Sequence, residues 1–401
     1  MGDIMNNIYN LYIKETNNFK TASLEVVFKL SFNKYNITKL NIIKNIIINN
    51  YKTKKLLKEK YDTKIYGVVN KIGNTLLLEI NLDYIDPKYS EDYIDKIYKI
   101  FFDSIFNPEI TKEMLEVSKK FLLEEIDSIN LNSMDKSILE ALKYYNSDAP
   151  YSCNLSGDIE YLNKINVHNI KEFYKKLINK SHKNIYVISS ENKNKVERII
   201  QKYALFNSIV KDLDNYYLDY LPIKRTKKNI INIDDIGTNL VMIYTFNKLS
   251  KYEERYVMPL FNIIWGGSLI SSKLYKALRE NNAICYNVNS IYQKYDRMII
   301  VYVSLSKENL EKAIKLIKTT FKTLKKSLTK EDLVEAKKVM TNSLILTKDN
   351  LLKSLNNMIF ESFNLIDSVD MQMEEYNKVT LEDIYSLIKK IKLLSINKVG
   401  E

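Results

Sequence analysis

The stretch PEITKEMLEVSKKFLL at residues 108–123 returns in altered form as KSLTKEDLVEAKKVMT at residues 326–341. Thr111 matches Thr329, a step of 218 residues, and the Leu and the Lys-Lys pair that follow keep the same step. Repetition at a fixed step indicates that one domain of about 200 residues occurs twice in the chain.

The repeat extends beyond these two segments. Residues 56–82 parallel residues 274–305, because both read as a helix end followed by two β-prone runs. Residues 166–178 resemble residues 379–391. Strands and helices therefore alternate in the same mixed order in each copy. We predict an α+β fold with two homologous domains, each a mixed, curved β-sheet backed by helices.

The expected elements of the first copy follow from local periodicity. Strands are predicted at residues 22–32, 75–82 and 183–190, and helices at residues 37–61, 89–106 and 110–129, the last with a Thr cap. The predicted domains are residues 1–206 and 229–401. Between them, residues 207–228 form the predicted linker, because they contain Pro222 and a basic run at 224–228.

Composition excludes several classes of site. Two Cys, Cys153 and Cys285, are too few for a disulfide scaffold or a zinc site of three or four thiolates. Two His, His168 and His182, cannot supply three imidazoles, and both are expected to be surface or capping residues. The phosphate-binding patterns G-x-x-x-x-G-K and G-x-G-x-x-G do not occur, so nucleotide binding is not predicted.

The charge balance does not favour nucleic acid as a partner. The net charge is +12, but only five of the 61 basic residues are Arg, and Lys is interleaved with Glu and Asp throughout. Arg is the residue that usually reads bases and clamps phosphates. The start of the chain has no apolar targeting segment, and no apolar run is long enough to span a bilayer. We expect a cytoplasmic protein with no membrane partner.

Two segments resemble a known family. Residues 150–178, PYSCNLSGDIEYLNKINVHNIKEFYKKLI, are similar to the end of the first domain of pitrilysin/insulinase metallopeptidases. Residues 261–290, FNIIWGGSLISSKLYKALRENNAICYNVNS, resemble the signature of that family's second domain. The resemblance implies two halves that face each other across a cavity. In short members of the family, pairs of two-domain subunits close around a peptide chamber.

The zinc motif of the family is missing. Active members carry H-x-x-E-H on the first helix of the first domain, with two His as zinc ligands and the Glu as general base. That helix falls at residues 35–50 here, and it contains no His, Glu or Asp. We therefore predict that this chain binds no metal or other cofactor, and that a partner subunit holds the zinc.

Other site residues of the family are present. Arg279 and Tyr286 have the seven-residue spacing of the family's Arg and Tyr, which the resemblance implies contact substrate and the oxyanion of the transition state. The resemblance also makes Gly266, Gly267 and Ser268 candidates for substrate binding. Simpler interpretations stay open. Arg279 could be a cation at a helix end, and the glycines could cap a helix in the left-handed conformation.

The predicted function follows from the missing zinc motif and the retained Arg279 and Tyr286. The chain is expected to be a metal-free, non-catalytic subunit of a heterodimeric insulinase-like zinc peptidase. Its partner would carry H-x-x-E-H, and a peptide or unfolded segment would be the substrate. This chain would complete the chamber and supply Arg279 and Tyr286 to the partner's active site. The alternative is a scaffold or peptide-binding protein with no role in hydrolysis.

Overall fold

The structure is a computed structural model that describes residues 2–6, 8–90, 93–130, 132–213, 215–221, 226–234, 237–267 and 269–400. The chain forms two compact units. Unit 1 consists of Met1–Asp127, Asn154–Tyr216 and Leu346–Leu365, and unit 2 consists of Ser128–Cys153, Tyr217–Ile345 and Ile366–Glu401. Each half of the sequence therefore contributes one segment to the unit built mainly by the other half. The boundaries 1–206, 207–228 and 229–401 stay a prediction about the duplicated sequence.

Each unit is built on one mixed sheet. The strands are β1 (Gly2–Asn6), β2 (Tyr9–Glu15), β3 (Thr21–Ser31), β4 (Lys64–Ile72), β5 (Thr75–Ile85), β6 (His182–Ser189), β7 (Lys227–Ile231), β8 (Asn239–Phe246), β9 (Asn287–Gln293), β10 (Met298–Ser304) and β11 (Ile391–Val399). The order is β1-β2-β6-β3-β5-β4 in unit 1 and β7-β11-β8-β10-β9 in unit 2. One pair in each sheet is parallel, β2 with β6 and β7 with β11, and the others are antiparallel.

Helices cover both sheets. They are α1 (Lys34–Ile48), α2 (Tyr51–Tyr61), α3 (Ile94–Phe106), α4 (Lys112–Asn130), α5 (Ser133–Tyr145), α6 (Ile159–Lys164), α7 (Val167–Lys180), α8 (Lys193–Tyr203), α9 (Met258–Gly266), α10 (Lys273–Tyr275), α11 (Leu310–Ser327), α12 (Lys330–Lys348), α13 (Leu351–Ser362), α14 (Val369–Lys378) and α15 (Leu381–Lys390). In α3, Ile94, Ile97, Tyr98 and Phe101 are buried at the spacing of one helical face. The predicted α+β class with two helix-backed mixed sheets is confirmed.

The sheet of unit 2 is buried on both faces. Along β8, Leu240, Met242 and Tyr244 belong to a core with α9 and α11, while Val241 and Ile243 belong to a second core with α5. Successive side chains of a strand point to opposite faces, so an unbroken apolar strand marks a sheet covered on both sides. The second cover, α5, comes from the first half of the sequence.

The repeat is visible in the helices. α4 and α12 each have 19 residues. Thr111 caps α4 by accepting from the Met114 N–H at 3.1 Å, and Thr329 caps α12 by accepting from the Asp332 N–H at 3.3 Å. The predicted Thr cap is confirmed.

One predicted helix was wrong. Residues 37–61 form two helices, because the chain breaks after α1 and Asn50 starts α2 by accepting from the Thr53 N–H at 3.2 Å. An Asn side chain that bonds nearby backbone favours a cap over a helix interior. None of the helices in the described residues is long and apolar enough to cross a membrane.

Candidate functional site

Arg279 lies near the end of the short helical segment that follows α9. α10 continues directly into a single π-helical turn, Lys276–Glu280, which contains Arg279. Its side chain is exposed, and the guanidinium carbon lies 5.4 Å from the centroid of the Tyr275 ring. This stacking holds the cation against an aromatic face while leaving its N–H groups available to solvent.

A tight turn connects Arg279 to Tyr286. The N–H of Ala283 donates to the Arg279 carbonyl at 3.0 Å, and the N–H of Ile284 donates to the Leu278 carbonyl at 3.0 Å. Ala283 closes the turn in the left-handed region, with φ of 49°. The chain is thereby reversed within a few residues, and Arg279 and Tyr286 lie at the two ends of one closed turn.

The residues after the turn point in different directions. The Cys285 side chain is buried, and burial raises the pKa of its thiol while the Arg279 guanidinium acts in the opposite direction. Tyr286 is 70% exposed, and its N–H donates to the Ser304 carbonyl at 2.8 Å. A large aromatic side chain this exposed is available to a partner molecule. The turn therefore presents a cation and a phenol beside β9, one of the two edge strands of the unit 2 sheet.

The glycines that precede this segment have packing roles. Gly266 is buried, and a Cβ there would lie 2.5 Å from Leu274 Cδ1 and 3.1 Å from Ser290 Cβ. Gly267 ends α9 by donating its N–H to the Asn262 carbonyl at 2.8 Å. Gly267 thus caps the helix, as the simpler interpretation held, but its φ of −61° and ψ of 179° are extended and not left-handed. Substrate contact by the glycines stays a prediction, and Ser268 lies outside the described residues.

The face of α1 that should bear the family's zinc motif carries a different set of polar groups. Asn41, Lys44 and Asn45 follow one another at positions i, i+3 and i+4, the spacing of the two His and the Glu in H-x-x-E-H. Their side chains share one helical face, and all three residues are buried, with 2%, 6% and 1% exposure. Buried polar groups of this kind need partners within the protein.

Each of the three polar groups has such a partner. The Lys44 ammonium donates to both carboxylate oxygens of Glu125, at 3.1 and 2.9 Å. The Asn41 amide donates to the Leu155 carbonyl at 2.8 Å, and the Asn45 amide donates to the Ser118 carbonyl at 3.5 Å. The polar face is therefore satisfied by an ion pair and backbone carbonyls.

A glycine in β4 makes room for the lysine. A Cβ at Gly67 would lie 2.9 Å from Lys44 Cγ and 3.1 Å from the Glu79 carbonyl oxygen. The contact with Lys44 is closer than real Cβ atoms approach, and the contact with Glu79 is tighter than most. A larger residue at this position would therefore displace the lysine stem or the neighbouring strand. The buried position of the Lys44 stem thus depends on Gly67.

Comparisons with known proteins found relatives in sequence and in fold. A family model described as Peptidase M16 inactive domain matches residues 164–340. The Bacillus subtilis protein named "Probable inactive metalloprotease YmfF" is 22% identical over 97% of this chain and 92% of its own length. Among solved structures, a conserved protein from Enterococcus faecalis has a TM-score of 0.90 at 20% identity, covering 100% of this chain and 99% of that one. A peptidase M16 inactive domain from Pseudomonas fluorescens has a TM-score of 0.78 at 15% identity, covering 98% and 96%.

The resemblance to the pitrilysin/insulinase family, M16, is confirmed. The chain is similar to M16 metalloprotease homologues of the inactive type, with the domain model matching residues 164–340. In the M16 motif, two imidazoles and a carboxylate surround Zn²⁺ and its water. Here two amides replace the imidazoles at the same spacing, and an ammonium replaces the carboxylate. Because a cation repels Zn²⁺ and amides are poor ligands for it, these residues do not fit the metal.

No cluster of three or more His, Cys, Asp and Glu that could hold a metal ion occurs in the described part of the chain. His168 is exposed and lies 3.5 Å from Glu172. The surface position expected for His182 was wrong: it begins β6, an inner strand, and is 8% exposed, 3.4 Å from Asp212.

The loss of the zinc motif was predicted from the sequence, but Lys44 was not singled out there. The signal was available, because Asn41, Lys44 and Asn45 repeat the motif's spacing within an otherwise apolar run. The partner Glu125 was not visible, since the contact joins residues 81 positions apart.

Proposed function

We propose that this chain is the metal-free, non-catalytic subunit of a heterodimeric M16-like zinc peptidase. The partner subunit carries H-x-x-E-H and the zinc, and this chain completes the peptide chamber. The observation that supports the proposal most is the contrast between two positions. The zinc-motif face of α1 is closed by the Lys44–Glu125 pair. The side chains of Arg279 and Tyr286, in contrast, are exposed and make no hydrogen bond within the described residues.

Arg279 and Tyr286 carry groups with a defined use in amide hydrolysis. Hydrolysis of an amide passes through a tetrahedral intermediate whose oxygen carries negative charge. A phenol that donates a hydrogen bond to this oxyanion stabilises it, and one such donor is worth about a hundred- to a thousandfold in rate. A guanidinium can hold a substrate carbonyl or carboxylate by charge-assisted hydrogen bonds. Tyr286 and Arg279 would supply these groups to chemistry that takes place on the partner's zinc.

The sheet beside this pair offers a way to hold an extended peptide. β9 is an edge strand, and in the part of the chain that the structure describes it pairs with β10 alone. An edge strand can bind a peptide by adding it as a further strand, so that main-chain hydrogen bonds give affinity without strong sequence preference. A peptide added here would run past the turn that carries Tyr286, which immediately precedes Asn287 at the start of β9.

A second candidate function is a scaffold or peptide-binding protein with no role in hydrolysis. The contact of Arg279 with the Tyr275 ring favours it, because this contact gives the arginine a structural role within its own helical segment. Binding of an extended peptide to β9 would serve this function equally well. The two functions differ in whether the chain changes the rate of cleavage by another subunit.

Reconstitution with a partner tests the proposal. The tagged chain is purified from its own cells, the companions are identified by mass spectrometry, and any H-x-x-E-H subunit among them is produced separately. Cleavage of unfolded peptides is then measured for each chain and for the mixture. The proposal predicts cleavage by the mixture that greatly exceeds the sum of the separate chains. A partner that cleaves equally well without this chain would contradict it and favour the scaffold.

A further inference from the structure

A large groove in unit 2 has no role in the proposed peptidase function. It encloses about 780 Å³ between α11 and the part of the sheet formed by β7 and β11. The apolar residues that line it are Ile230, Tyr244, Ile314, Phe321, Leu393 and Ile396. Ile230 is 71% exposed. We call this feature the helix groove, because a helix fills the corresponding position in unit 1.

Tyr244 contributes a buried polar group to the helix groove. Its side chain is 2% exposed, and its ring packs edge-on against Trp265 with centroids 5.0 Å apart. Its hydroxyl has no hydrogen-bond partner in the described part of the chain. A buried hydroxyl that lacks a partner is costly, and most buried polar groups in folded proteins are satisfied. The Tyr244 ring thus forms part of the aromatic lining of the groove.

Unit 1 shows what fills the equivalent position. There β6 lies parallel to β2, and α8 packs between α3 and β2. α8 is an amphipathic helix whose Val196, Ile199 and Ile200 are buried at positions i, i+3 and i+4. In unit 1, α8 thus lies next to α3 and covers the part of the sheet formed by β2.

Unit 2 repeats this arrangement without the covering helix. β11 lies parallel to β7, as β6 does to β2, and α11 takes the place of α3. The strip of sheet beyond α11 is the helix groove, and no described segment of unit 2 occupies it. The internal repeat therefore defines the groove as a position shaped for one more amphipathic helix.

The charges around the groove set the chemistry of that helix. The lysines that line it are Lys228, Lys315, Lys318, Lys322 and Lys398. The lining includes one carboxylate, Glu311, which is paired with Lys398. Lys315, Lys318 and Lys322 lie on one face of α11, at positions i, i+3 and i+7. A helix with acidic residues along its borders would match this surface, and a basic one would be repelled.

We propose that the helix groove binds an amphipathic helix of a partner chain, with apolar residues at i, i+3 and i+4 and acidic residues on both borders. The apolar residues would cover the floor of Phe321 and Ile396, and the acidic residues would meet the lysines of α11. Binding of this kind is the helix-in-groove mode of recognition. It depends neither on zinc in another subunit nor on Arg279 and Tyr286.

A peptide derived from α8 is the direct probe. It spans residues 192–204, with a hydrocarbon staple joining positions 194 and 198 on its exposed face, a fluorescent label, and the substitutions Lys193→Glu, Lys195→Glu and Lys202→Glu. A matched peptide keeps its three lysines. Fluorescence anisotropy against the full chain at low and moderate salt should show binding of the acidic peptide, at least tenfold tighter than that of the lysine peptide and weakened by salt.

Variants of the chain locate the binding. Lys315→Glu/Lys318→Glu should weaken binding of the acidic peptide at least tenfold. Lys312→Glu/Lys326→Glu makes the same charge change on the same helix outside the groove and should alter binding less than threefold.

Four outcomes overturn the proposal. They are absence of binding by the acidic peptide, equal binding by the lysine peptide, and equal effects of the two double substitutions. The fourth is displacement of the peptide by a fluorescent fatty acid that binds the chain more tightly, which would assign the groove to a lipid-like anion.

Discussion

The Lys44 ammonium lies 3.1 and 2.9 Å from the two carboxylate oxygens of Glu125, on the helix face where M16 peptidases carry their zinc motif. The two partners differ in exposure, because the Lys44 side chain is 8% exposed and that of Glu125 is 41% exposed. Glu125 can therefore turn to water when its partner is removed, whereas Lys44 cannot.

This asymmetry predicts unequal costs of breaking the pair. Glu125→Gln leaves a buried ammonium without its counter-ion and should lower the free energy of unfolding by about 2–4 kcal/mol. Lys44→Met replaces the ammonium by an apolar side chain of similar length and should cost less than about 1.5 kcal/mol. Urea unfolding followed by circular dichroism measures both. A larger loss in Lys44→Met than in Glu125→Gln would contradict the account.

Removing the Tyr286 hydroxyl tests the role proposed for that side chain. Tyr286→Phe keeps the exposed ring and removes only the donor, so cleavage by the reconstituted pair should fall about a hundredfold or more, mainly in kcat. Arg279→Ala should also reduce cleavage. Neither change should alter assembly measured by size-exclusion chromatography.

Tyr144→Phe is the matched control, because Tyr144 is 57% exposed and lies outside this turn. It should leave cleavage unchanged. Unchanged turnover in both Tyr286→Phe and Arg279→Ala would remove the chemical role and leave the scaffold function.

The turn between Arg279 and Tyr286 carries backbone strain that a single change can relieve. Ala283 has φ of 49°, a region that costs a residue with a Cβ about 1–2 kcal/mol. Ala283→Gly removes that cost and adds a smaller entropic one, so the free energy of unfolding should rise by about 0.5–1 kcal/mol. Thermal and urea unfolding check this. A loss of stability would show that the turn tolerates the alanine without strain.

Stability should depend on pH through Glu79 on the sheet of unit 1. Burial raises the pKa of the Glu79 carboxyl from 4.5 to about 7, although the Asn70 amide donates to both of its oxygens. Burial and the nearby Glu79 and Asp83 raise the pKa of Glu25 as well. The folded state thus holds a proton that the unfolded chain releases above pH 4.5. The free energy of unfolding should fall as pH rises from about 4.5 to about 7.

Glu79→Gln mimics the protonated carboxyl and should flatten that profile. At pH 8 the variant should be more stable than the natural chain by on the order of 1–3 kcal/mol. Glu59→Gln, at an exposed position of α2, is the control and should leave the profile unchanged. Parallel profiles for Glu79→Gln and the natural chain would contradict the prediction.

Much of the fold was predictable because the sequence repeats itself and its strands are strongly apolar. The expected strands 22–32, 75–82 and 183–190 overlap β3, β5 and β6. What the sequence did not show was the composition of the units. α5 and α13 each pack on the sheet of the other half, and such exchange depends on which apolar face meets which sheet rather than on local pattern.

The candidate site was predictable in part. The loss of the zinc motif could be read from α1 alone, since ligand type decides metal binding. The Lys44–Glu125 pair could not, because the two residues lie on separate helices. The packing roles of Gly266 and Gly267 also required coordinates. A Cβ at Gly266 would lie 2.5 Å from Leu274 Cδ1, and a Cβ at Gly267 would lie 2.9 Å from Ile263 Cα.

Zinc content distinguishes a metal-free chain from one that holds its own metal. The chain and its H-x-x-E-H partner are purified separately and together in zinc-containing buffer, desalted, and analysed by mass spectrometry for metal per polypeptide. The account predicts zinc far below one per chain in this protein alone, and one per pair in the complex, all of it held by the partner. Zinc near one per chain in the isolated protein would contradict it.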